Sequence, residues 1–260
     1  METRTMTSRC QRVGAGMTSG RKARASRQGS AVVTYKPKPW GTIAAAIAIL
    51  ALAGVVFGYA MIKLSAKNER VEALAAWRPS EDNQDPSTKI AGVVTKDYSS
   101  RDHIKVTQRV AYDRNPAFGG AHDGVWAECT GTVYSTPVRT ENIVHSLEHG
   151  AVWVAYNPDS VAGADLDALK QKVSGRQYTM LSPHPGLDEA VSLQAWGRQL
   201  KVGGVRDARI EQFIQALAGN RYTAPEPGAT CQAAPGQFDV GNPPAFDPAP
   251  PGPDAVPVNG

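Results

Sequence analysis

The stretch PWGTIAAAIAILALAGVVFGYAMI, residues 39–62, decides the architecture of this chain. No charge falls between Lys38 and Lys63. Wound as a helix at about 1.5 Å per residue, Gly41 to Ile62 reaches about 33 Å, enough for a bilayer core roughly 30 Å thick. In hydrocarbon every backbone N–H and C=O has to be paired within the segment, so a run of this length crosses as a helix. Trp40 and Tyr59 stand near its ends, where amphipathic rings favour the interface. A cleaved signal peptide with a small-x-small site at Gly58–Ala60 is the alternative. The apolar run is too long, and the basic region before it too extended, for that reading. Residues 40–62 are therefore read as a transmembrane helix in contact with the lipid bilayer. Gly54 and Gly58 form a G-x-x-x-G pair, which lets two backbones approach closely and makes the helix a candidate homodimer contact; small residues also simply suit membrane helices.

Charge is divided unevenly about this segment. Residues 1–39 hold nine basic side chains and one acid, Glu2, for a net +8, while the rest of the chain holds 19 basic and 23 acidic residues, a net −4. The basic flank stays inside, so the chain runs with its N-terminus in the cytoplasm and its C-terminal part outside. The excess of positive charge belongs to the tail, and nothing in the remainder calls for a nucleic acid partner. Residues 1–39 have no apolar period and read as disordered. Residues 63–88 read as a stalk and linker broken at Pro79, residues 89–231 as the folded domain, and residues 232–260 as a Pro-rich disordered tail.

Three cysteines are present, and Cys10 lies in the cytoplasmic tail, where thiols stay reduced. Cys129 and Cys231 both lie outside, and two cysteines in an oxidising compartment are most simply a disulfide. It closes a loop of 102 residues, worth about 4–5 kcal/mol on the chain-entropy model. Two free buried thiols are the alternative. Within the domain, residues 151–156, 177–181 and 191–196 read as strands, with 90–94 and 104–112 as further candidates. Residues 164–173 and 206–219 read as amphipathic helices stopped by Gly175 and Gly219. The mixture implies an α+β domain with a small central β-sheet.

All five histidines lie beyond the membrane segment. The densest stretch is TENIVHSLEHG, residues 140–150, in which Thr140 suits a helix cap, Glu141 its first turn and Gly150 its end. His145 and His149 are then one turn apart on the same face, a spacing that suits two ligands of one metal ion. His122 is the third ligand expected, because Gly119 and Gly120 permit a tight loop before it. His103 and Glu148 supplement the set, and Asp123 or Glu128 are substitutes. Imidazole and carboxylate donors suit Zn or Cu in the divalent state. The bland alternative is that the pair only packs and bonds to backbone. HSLEH also fits the H-x-x-E-H pattern of zinc-dependent hydrolases, in which a downstream Glu completes the ligands. Glu226 is the one tempting downstream Glu, but it sits in APEPG at the edge of the Pro-rich tail, a poor place for a rigid ligand. A non-enzymatic reading stands beside these, in which the domain is an envelope assembly factor and the tail an extended ligand for an envelope protein partner.

His103, GGAH (119–122), YSTPV (134–138), ENIVHSLEHGAVWVAY (141–156), LSPHPGL (181–187), AWGRQL (195–200) and PEPGATC (225–231) together resemble a family of uncharacterised bacterial proteins, the domain of unknown function 3105. The resemblance covers about residues 89–231, and HSLEHGAVW is its most specific part. The family is best represented among actinobacteria, often behind one N-terminal membrane helix. It implies a bacterial plasma-membrane protein with an outward domain and brings no established activity. One departure is visible: where a Pro-Pro-Ser/Thr-Gly-Pro-His loop is expected, this chain has NPAFGGAH (115–122), which keeps His122 in an altered loop.

Overall fold

The computed structural model describes Lys36 and residues 38–259, so the expected basic tail, Cys10 included, falls almost wholly outside the described residues. The chain divides into two compact units after Phe57. Helix α1 (Trp40–Ala73) is 34 residues long and has no buried residue, and among the described residues it is the one helix long and apolar enough to cross a membrane. A single such helix near the N-terminus fits a single-pass anchor.

The second unit carries the rest of the fold. Strands β1 (Val94–Thr95), β2 (His103–Ile104), β3 (Val110–Ala111), β4 (His122–Asp123) and β5 (Thr130–Val133) precede helix α2 (Thr140–Glu148). Then come β6 (Val152–Tyr156), α3 (Gly163–Val173), β7 (Thr179–Pro183), β8 (Val191–Ala195), β9 (Arg198–Val202), α4 (Ala208–Leu217) and β10 (Val256–Pro257). Six strands form one mixed sheet in the order β1-β9-β8-β6-β7-β5. Strand β7 runs parallel to both β5 and β6, while β6, β8, β9 and β1 are antiparallel neighbours. The parallel pairs need crossovers, which α2 and α3 supply.

Strand β6 shows why helices flank this sheet. All five of its residues are buried, the signature of a strand covered on both faces. Val152, Val154 and Tyr156 face one way, in a core with Leu169 and Val173 of α3 and Ile210, Phe213, Ile214 and Leu217 of α4. Trp153 and Ala155 face the other way, against Ile143, Val144 and Leu147 of α2. Each fully buried side chain of this size contributes about 1.5–3 kcal/mol, so the two faces of the sheet hold the domain together.

Several expectations change here. The sheet is larger than the sequence suggests: β5 (TGTV) is only four residues long and interrupted by Gly131, and β9 (RQLKV) carries a single β-branched residue, Val202. Residues 104–112 are not one strand but the short β2 and β3 separated by a turn. Thr140 is the first residue of α2 rather than its cap; Arg139 precedes it with no side-chain capping bond. The 63–88 segment is only partly a spacer, since Trp77 packs on the core and Pro86 and Ser87 are buried beside Asp85, whose carboxylate accepts from Arg198 at 2.9 Å. The Pro-rich tail is extended but not detached. Phe238 is buried, Ala245 bridges Val138, and β10 pairs in parallel with β3. Proline-rich chain has few conformations to lose, so it docks at small entropic cost.

Candidate metal centre

The site is built by a helix that is polar on the face it turns toward a loop. Asn142, His145, Ser146 and His149 share one side of α2, and all four are buried. The first three bind the stretch from Asp123 to Ala127: Asn142 Nδ2 donates to Val125 O at 2.7 Å and Ser146 Oγ to Ala127 O at 2.7 Å, with His145 bonding Asp123 O. The disulfide Cys129–Cys231 joins this segment to residues 224–231, and Cys129 N donates to Cys231 O at 2.9 Å. His103 and His122 are brought together by the parallel pairing of β2 with β4, in which they are direct register partners.

Three imidazoles are oriented in the same manner. Nδ1 of His122 donates to Gly120 O at 2.8 Å, Nδ1 of His145 to Asp123 O at 2.7 Å, and Nδ1 of His149 to Thr230 O at 2.8 Å. A carbonyl oxygen can only accept, so each Nδ1 carries the hydrogen and each neutral ring presents a bare Nε2. Metal-bound histidines have this arrangement, with the far nitrogen anchored to a carbonyl and the near one free to ligate. Burial, reinforced by His122, lowers the pKa of His145 to about 4, and burial also lowers that of His149. Burial alone would push the Glu148 carboxyl up, but His122, His145 and His103 more than offset it, so Glu148 lies below its ordinary value. Burial thus favours the neutral form of His145 and His149, and the imidazoles around Glu148 favour its ionised form.

His122 Nε2 is the sharpest feature. It is fully buried and has no hydrogen-bond partner, yet it lies 2.9 Å from a carboxylate oxygen of Glu148. A bare lone pair facing a carboxylate is unfavourable unless a proton or a metal ion stands between them, and a metal ion fits the separation. Two ligands about 2 Å from one ion lie about 3 Å apart, which is this separation.

The expected ligands gather, but in a different grouping. His103, His122, His145 and Glu148 each offer an atom within 4.8 Å of all the others. His145, His149 and Glu226 form a second such group. His149 is thus not joined to His122 in one set, as the helical spacing suggested. One helical turn lets His145 and His149 share a face, but His149 leans toward the 224–231 segment, with Nε2 3.5 Å from Glu226. Glu226, judged badly placed from sequence, is positioned after all, because its N–H donates to Glu148 O at 3.1 Å and the disulfide anchors its segment five residues on. The cysteine was the signal that could have found it. The substitutes Asp123 and Glu128 are engaged elsewhere: Asp123 with Arg139 and Val125 N, Glu128 with Thr130 Oγ1 and Ala233 N. Trp126, unremarked in the sequence, packs 4.9 Å from the His149 ring and 5.5 Å from that of His145. His184 stands apart and bonds Asn115.

Among known proteins, the profile of a family described as a protein of unknown function (DUF3105) matches residues 103–233. That interval contains every residue of both groups. No curated protein and no solved structure matches the chain.

Proposed function

We propose that this chain, which belongs to the DUF3105 family, holds one divalent transition metal ion through His103, His122, His145 and Glu148. The observation that carries the proposal is the buried, unpartnered Nε2 of His122 facing Glu148 at 2.9 Å. Three imidazoles and one carboxylate favour Zn(II) or Cu(II), and no sulfur enters the set because Cys129 and Cys231 are bonded to each other. The domain works outside the cytoplasm, anchored by residues 40–62 in a bacterial plasma membrane.

Equilibrium dialysis of the detergent-solubilised chain against buffered Zn(II) tests this. One ion per chain is expected, and His122→Ala should weaken binding by more than the roughly 10–100-fold typical of losing a ligand's supporting partner. A wild-type chain that retains no ion, or a variant that binds as well, would sink the proposal.

A second reading, a zinc-dependent hydrolase, is favoured by one observation: His145, His149 and Glu226 form the ligand set that H-x-x-E-H requires. Its base would be Glu148, and that carboxylate is turned to His122 instead. The reading therefore stands second.

A further inference from the structure

We infer that one ion has two alternative positions in this centre and passes between them on His145, their common ligand. The inference rests on the metal-binding reading above. His145 belongs to both groups of donors. Its Nδ1 is committed to Asp123 O at 2.7 Å, which leaves Nε2 alone to ligate. A nitrogen with one lone pair binds one ion at a time, so an ion in either group denies His145 to the other.

The two positions differ in depth and in ligand number. The group with His103, His122 and Glu148 offers four donors, and the side chains of His122 and Glu148 are 0% and 3% exposed. The group with His149 and Glu226 offers three, and the Glu226 side chain is 51% exposed. A cleft of about 560 Å³ opens over both, lined in part by Asp102, His103, Glu148 and Glu226. Its carboxylates attract a cation, and Glu226, like His103, is exposed to it. Three donors leave a tetrahedral ion one open position, whereas four close it. An ion caught by Glu226 and His149 with His145 can therefore move to the deeper set while His145 stays bound. Glu148, His122 and His103 replace the two ligands it leaves. Such a transfer never strips the ion of all its protein ligands, which suits a protein that takes up and releases a metal rather than one that locks it in place.

Co(II), whose visible bands report its ligands, is the probe, with the full chain in detergent. One Co(II) per wild-type chain is expected. Glu226→Gln, on the surface, and the double variant with His149→Gln should reach the wild-type final spectrum but load roughly tenfold more slowly, as for loss of a partner that supports a metal site. His103→Gln with Glu148→Gln should still bind one Co(II), more weakly and with different bands. His145→Gln should lose the outer position and bind more weakly, with altered bands, at the deeper one, which keeps His103, His122 and Glu148; a His145→Gln spectrum and affinity equal to wild type would overturn the shared ligand. Two Co(II) per chain would overturn the shared ligand. A changed final spectrum in Glu226→Gln would mean one site using both groups at once, and loss of all binding in the His103 and Glu148 variant would remove the outer position. Absence of Co(II) from the wild type is the separate result that defeats the underlying metal reading.

Discussion

At the scale of single residues, the histidines divide by what their environment asks of them. His184 is buried beside the rings of Trp153 and Phe246 and donates through Nε2 to Asn115 Oδ1 at 2.6 Å. It has no carboxylate partner to offset the cost of charging it. Burial, and secondarily Lys201, lower its pKa from 6.5 to about 4. The sign follows directly. As pH falls below 6.5 the unfolded chain takes up a proton that the folded chain refuses until about pH 4, so stability is lost across that window and is level outside it. The slope for one such group is about 1.4 kcal/mol per pH unit, or about 3 kcal/mol over the window. His184→Gln should abolish that component. Urea unfolding of the metal-free chain at pH 7.5, 5.5 and 4 should show the variant losing less stability than wild type by roughly this amount. Equal losses would mean His184 is not the group held neutral.

At the scale of elements, the short strands at the rim matter more for the site than their length suggests. Strand β10 pairs with β3, and just beyond it Val258 O accepts from Ala121 N at 3.0 Å, immediately before His122. Gly120 is required at that point: its φ is +101°, and a Cβ there would lie 2.5 Å from Val258 O. Val256 and Val258 close a small cluster of Ile104, Val110 and Ala121 beneath β2 and β4. The end of the Pro-rich tail thus braces the loop that aims His122 at Glu148. Truncation after Asp254 leaves the six-stranded sheet and the disulfide untouched. It should nonetheless weaken Zn(II) binding about 10–100-fold, the usual range for removing a ligand's support. Competition dialysis against a zinc chelator measures this, and unchanged affinity would show that the tail does not position the site.

At the scale of the whole molecule, the proposed topology places the centre outside the cytoplasm. The net +8 of residues 1–39 against the uncharged run that follows is the basis for it. A reporter active only outside the cytoplasm should work when fused after Gly260, and one active only inside should work before Met1. The opposite pattern would place the cysteines in a reducing compartment and remove the rationale for their disulfide.

The apolar run, the amphipathic helices α3 and α4 and the strand β6 were legible in the sequence because each is written locally, in continuous hydrophobicity or in a period of 3.6 or 2. The pairing of Cys129 with Cys231 followed from counting. His122, His145 and His149 were recognisable as donors, and the glycines before His122 as the means of bringing it in. Which donors meet was not legible. The parallel pairing of β2 with β4 made His103 a neighbour of His122, and two residues of strand leave no periodicity to read. The disulfide carried Glu226 to His149 across a long loop, and the backbone carbonyls of Gly120, Asp123 and Thr230 fixed which nitrogen of each ring is bare. Sequence determined the donors; tertiary structure decided the sets, because ligand geometry depends on contacts between segments far apart in the chain, which no local pattern encodes.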